Sequence, residues 1–88
     1  MSDDKSQLEQ AISKLKQQRD ELALQIHLGA AEAKEEFDKA RVKLDEMTAE
    51  FAPVKDAVEE SAGNVFASLK LVGEELMGSF ERIRKSLP

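Results

Sequence analysis

His27 is the only histidine of the chain and the side chain best suited to bind a metal or exchange a proton near neutral pH. A metal site on a helix needs a second ligand three or four positions away. Positions 23, 24, 30 and 31 hold Ala23, Leu24, Ala30 and Ala31, so a metal would have to be shared between chains. The plain reading is a half-exposed histidine on a helical bundle; a pH-sensing role is the alternative. Aspartate, glutamate and serine are plentiful, yet none stands with the base or orienting group that acid–base or nucleophilic catalysis requires. The four glycines, Gly29, Gly63, Gly73 and Gly78, are isolated and build no phosphate loop. The absence of cysteine removes disulfide and thiolate chemistry. No catalytic, metal or cofactor residue is therefore expected, and the chain reads as non-enzymatic.

What remains is pattern. Leu8, Ile12, Leu15, Leu22, Ile26, Gly29 and Ala33 recur every three or four positions. Phe37, Ala40, Leu44, Met47, Phe51, Val54 and Val58 continue that stripe one step out of register. This is the signature of a helix with one dry side. Val65, Phe66, Leu69, Val72, Leu76, Phe80, Ile83 and Leu87 repeat the spacing near the C-terminus, opposite Lys70, Glu74, Glu75, Glu81, Arg82 and Lys85. Met47 and the phenylalanines at stripe positions read as core rather than as a ligand pocket.

The chain has 88 residues, and a chain this short buries little more than half of its unfolded surface. Without metal or disulfide, oligomerisation is the usual remedy. The composition, rich in charge and poor in aromatics, suits a coiled coil or long helix. A net charge of −5 argues against nucleic acid, whose affinity comes mainly from Lys and Arg on phosphate. No run of about 18 uncharged apolar residues is present to span a membrane. The polar, acidic start, Met1-Ser2-Asp3-Asp4-Lys5, resembles neither a signal nor a transit peptide, so the expected compartment is the cytoplasm.

Ser6-Gln7-Leu8-Glu9 reads as a capping box that starts the first helix. Glu35–Lys39 and Lys34–Asp38 are candidate i,i+4 ion pairs on its wet side. Three places could interrupt the rod. Gly29 weakens a helix, although the stripe runs through it. Pro53 lacks a donor and clashes with the preceding turn. Ser61-Ala62-Gly63-Asn64 offers a left-handed closing position and a cap. The favoured reading has a polar, disordered N-terminus over residues 1–5 and a long helix over 6–60, with a kink or short break at Pro53. A turn at 61–64 and a C-terminal amphipathic helix over 65–87 follow. A hairpin at 52–53 and a three-helix bundle broken at Gly29 are the alternatives.

In the favoured reading the C-terminal helix covers only part of the first, and the uncovered stripe must find another chain. The expected interface is Leu8, Ile12, Leu15, Arg19, Leu22, Ile26, Gly29, Ala33 and Phe37 of a dimer or tetramer. Arg19, at a stripe position, either lays its stem along the seam or fixes register, with Glu21 of a second copy as its partner. Leu24, Leu28 and Ala31 form a second apolar row, read either as the tightest point of a bundle or as a groove for a target. Arg82, Arg84 and Lys85 either complement the helix dipole or meet acidic groups on an antiparallel neighbour.

Leu24-Gln25-Ile26-His27-Leu28-Gly29, then Ala31-Glu32-Ala33-Lys34-Glu35-Glu36-Phe37, with the ending Phe80-Glu81-Arg82-Ile83-Arg84-Lys85-Ser86-Leu87, resembles small bacterial coiled-coil proteins with no assigned activity. The resemblance covers about a third of the chain and implies an all-helical bacterial protein, without site residues. Together these readings predict an all-α helical hairpin or coiled coil that self-associates as a scaffold or adaptor, with an unidentified protein as a further possible partner. The alternative is an amphipathic-helix protein that binds a lipid surface.

Overall fold

The computed structural model describes residues 4–56 and 59–88, with the side chains of 4 and 59–62 left aside. Helix α1 spans Asp4–Gln25, a short 3-10 turn spans Ile26–Leu28, α2 spans Ala31–Phe51 and α3 spans Glu59–Ser86. Helix α3 packs extensively on both α1 and α2, which touch each other far less. Along α2 and α3, Phe37 meets Phe80 near one end and Phe51 meets Phe66 near the other, so the two helices run antiparallel. Arg19 opposite Asp45 makes α1 and α2 antiparallel as well. The fold is therefore an up-down-up bundle of three helices.

Two breaks divide what the stripe suggests is one rod. Helix α1 ends in the 3-10 turn, where the Gly29 N–H donates to the Ile26 carbonyl at 2.9 Å. Ala30 then takes an extended conformation, φ −69° and ψ 165°, and α2 begins. Neither residue needs a left-handed backbone, since positive φ is absent among the described residues. Space at Gly29 is tight instead: a Cβ there would lie 3.0 Å from Leu87 Cδ2, 3.2 Å from Ala33 Cβ and 3.3 Å from the Ile26 carbonyl oxygen, so its neighbours would have to give way. The second break follows Phe51. Residues 52–56 form a turn containing Pro53, whose missing donor and ring clash suit the end of a helix.

The expected long helix over 6–60 is thus corrected to two helices, and the expected turn at 61–64 to part of α3. The alternatives that broke the chain at Gly29 and near Pro53 each identify one real break. Helix α1 is already formed at Asp4, which places Ser6 inside the helix rather than at its cap. Residues 1–3 of the expected disordered N-terminus lie outside the described residues, while Lys5 is helical. Val58 of the stripe is likewise outside them.

Gly63 tests the second correction. A Cβ built there meets nothing within 4 Å, and a glycine inside a helix costs about 0.5–1 kcal/mol relative to alanine. Gly63→Ala is expected to raise stability by about that amount in urea unfolding. A loss would return Gly63 to a left-handed turn.

The breaks also solve the problem of coverage. At 1.5 Å per residue, α3 is about 42 Å long, while α1 and α2 are each about 32 Å. The bundle's long axis is 44 Å, so α3 runs its full length. One helix can cover both halves of the stripe because the stripe is folded in two. Leu8, Ile12, Leu15 and Leu22 of α1 join Phe37, Ala40, Leu44, Met47 and Phe51 of α2, and Phe66, Leu69, Leu76, Phe80 and Ile83 of α3, in one buried core.

Candidate functional site

The nine residues expected to meet another chain are mostly occupied within this one. Leu8, Ile12, Leu15, Leu22, Ala33 and Phe37 are buried, and Ile26 and Gly29 are half-buried. The partner that the stripe lacked in a 55-residue rod is the chain's own α3. Their burial removes the argument that self-association must follow from an uncovered stripe.

Arg19 is the informative member of the set. Its guanidinium pairs with Asp20 at 3.1 Å and reaches Asp45 of α2 at 3.8 Å. The stem lies partly buried while the charged head spans the shallow side of the bundle, where α1 and α2 stand apart. Its partners are in the same chain; Glu21 is instead hydrogen-bonded by Gln17, at 3.3 Å.

Charge fastens α2 to α3 on the outer face. Arg82 pairs with Glu36 at 3.0 Å, as expected for a basic end meeting an antiparallel acidic helix, whereas Arg84 and Lys85 pair with Glu81 on their own helix. Lys43 donates to Glu75 Oε2 at 2.8 Å. That hydrogen bond, and then the lysine's charge, hold the Glu75 carboxyl below its ordinary value. A carboxyl with a lower pKa folded than unfolded contributes stability above its unfolded pKa and loses it as the pH falls through the folded one. Both ends are exposed, so water and salt screen the bridge. The pairs expected at Glu35–Lys39 and Lys34–Asp38 do not form; Asp38 meets Arg41 at 3.7 Å.

No constellation for chemistry appears. Among the described residues, no group of three or more His, Cys, Asp or Glu is placed to hold a metal ion. His27 is exposed in the turn between α1 and α2. A cleft of about 120 Å³ lies between α1 and α3 and is lined by Gln18, Glu21, Leu22, Gln25, Phe80, Glu81 and Arg84. It is smaller than the roughly 300–1,000 Å³ of a typical small-molecule site. Gln18 Oε1 is buried without a hydrogen-bond partner, a feature that helical periodicity gave no sign of.

The surface feature that stands out is apolar. Leu24 is 77% exposed and Leu28 55% exposed, four residues apart at the hairpin end of the bundle. The second row is therefore neither the tightest point of the bundle nor a closed groove; Leu24, Leu28 and Ala31 are all exposed. Leu24 lies about 200° around the helix from Leu22, so burying one turns the other to the surface. No described helix is long and apolar enough to cross a membrane. Comparison with family models, curated proteins and solved structures finds no match to this chain.

Proposed function

We propose that this chain is a non-enzymatic helical interaction module, a scaffold or adaptor that works by associating with a second copy of itself. The observation that carries this reading is the outward row of Leu24 and Leu28 at one end of an otherwise closed core. Single exposed leucines are common, but two on adjacent turns form an apolar row that water disfavours. A lipid surface is the weaker occupant. Phe66, Leu69, Leu76, Phe80 and Ile83, which would lie on a membrane, are packed against α1 and α2, and α3 would have to leave the bundle to present them.

Light scattering across a dilution series of the wild-type chain and Leu24→Glu tests the proposal. The wild type is expected to gain mass with concentration above 9.8 kDa, and Leu24→Glu to stay monomeric with unchanged helicity. A wild type that remains monomeric at every concentration overturns it.

A further inference from the structure

We infer that the turn over residues 26–30 is a hinge, and that two copies of the chain can exchange α1 through it to form a dimer with two continuous helices. This deepens the self-association reading by naming a second, separable route to it.

Four observations carry the inference. Ala30 is the N-cap of α2, yet it has no side chain able to accept the first free N–H groups. No proline and no left-handed residue holds the turn. Ile26, Gly29, Ala33 and Phe37 keep the three-and-four spacing across it, so a straightened chain would keep its dry side on one face. The closed turn also has little room to spare: a Cβ added at Gly29 would lie 3.0 Å from Leu87 Cδ2 and 3.2 Å from Ala33 Cβ, so a side chain there disfavours the closed form. A short, uncapped hinge between two helix-forming segments favours exchange.

The register provides the geometry. In the closed chain Arg19 faces Asp45, and the midpoint between them is Glu32. Two opened helices laid antiparallel in that same register place α1 of each on α2 and α3 of the other, with every core contact kept. Their two-fold axis falls within Gly29-Ala30-Ala31-Glu32-Ala33, where small side chains let two backbones come close. The Arg19–Asp45 pair then forms between chains. The leucine row lies on the other side of the helix from the core stripe and takes no part in the exchange.

The chain has no cysteine, so single introduced cysteines report the topology. Arg19→Cys and Asp45→Cys chains are unfolded together, refolded at high concentration and treated with a short bismaleimide, in the wild-type, Gly29→Ala and Ala30→Asp backgrounds. Gly29→Ala crowds the turn and favours the open helix, and is expected to raise the association constant about tenfold or more. The covalent dimer should come from the mixture of the Arg19→Cys and Asp45→Cys chains and not from either chain alone. Ala30→Asp caps α2 and should lower the dimer yield. If Gly29→Ala fails to fold, the contrast between wild type and Ala30→Asp decides.

A Gly29→Ala chain that folds as a monomer, or a dimer without the mixed cross-link, overturns the exchange. Leu24→Glu separates the two proposals: never unfolded, it should stay monomeric because contact through the leucine row is lost, and only after joint unfolding and refolding at high concentration should it give the mixed cross-link. Self-association of the wild type that Leu24→Glu abolishes, without a mixed cross-link in any background, would sink the hinge and keep the leucine-row reading.

Discussion

Phe80→Ala is expected to cost the bundle about 3–5 kcal/mol, the usual range for emptying a buried phenylalanine site. Phe80 is 2% exposed, and it stands where all three helices converge. Its ring lies 6.4 Å from that of Phe37 on α2, tilted by 46°. It also lines the cleft that Gln18 and Leu22 of α1 enclose with α3. Small domains have a net stability of about 0.05–0.15 kcal/mol per residue, or roughly 4–13 kcal/mol for a chain of this length. One truncation therefore removes a large share of the whole. Urea unfolding followed by helical circular dichroism should show a midpoint moved far toward zero, with part of the sample unfolded in buffer at the weak end of that range. Phe80→Leu keeps most of the volume and should lose markedly less. A loss below about 1 kcal/mol for Phe80→Ala would mean that α3 does not place this ring between α1 and α2.

That core was legible in the sequence because burial in a helix leaves a periodic trace. Leu8, Ile12, Leu15 and Leu22, then Phe37, Ala40, Leu44, Met47 and Phe51, then Phe66, Leu69, Leu76, Phe80 and Ile83 were each readable from spacing alone and are buried, with Val72 partly so. Where the rod folds was not legible. At residues 26–30 the stripe passes through without a phase change, and the residues that end and begin the helices are ones that helices tolerate. Gly29 fits closely beside Leu87 and Ala33 there, a tertiary fact with no local signature. Gly63-Asn64 misled for the converse reason: its turn chemistry is genuine, but packing of Phe66 and Leu69 against α1 and α2 carries α3 through it. Pro53 marked its break correctly, and of the kink or short break it suggested the chain takes a break, a turn over 52–56. The inferred interface followed from the assumed length of the rod, and moved inside the molecule once that length was halved.

Leu22→Glu is expected to unfold the chain, and the contrast with Leu24→Glu decides whether the stripe is core or interface. Leu22 is 5% exposed. A glutamate there must be buried as a charge, be protonated, or force α1 away from α3, and an unpaired buried charge is prohibitive unless it neutralises. Arg84 lines the same cleft but is already paired with Glu81 at 2.7 Å, and Glu81 itself lies in that cleft, so a new carboxylate meets a like charge. Breakage of a buried charge arrangement costs about 3–5 kcal/mol, comparable with the whole stability of a small domain. Leu24→Glu, two residues along, replaces a side chain that is 77% exposed and should change stability by about 0.5 kcal/mol or less. Circular dichroism should therefore show helicity lost for one variant and kept for the other, and light scattering should show the folded variant as a monomer. If stripe residues instead faced a second chain, Leu22→Glu would give a helical monomer. In that case helicity kept with mass reduced would move Leu22 from the core back to the interface. The two glutamates separate these pictures because a helix turns about 200° in two residues, from the driest face of this bundle to its most exposed leucine.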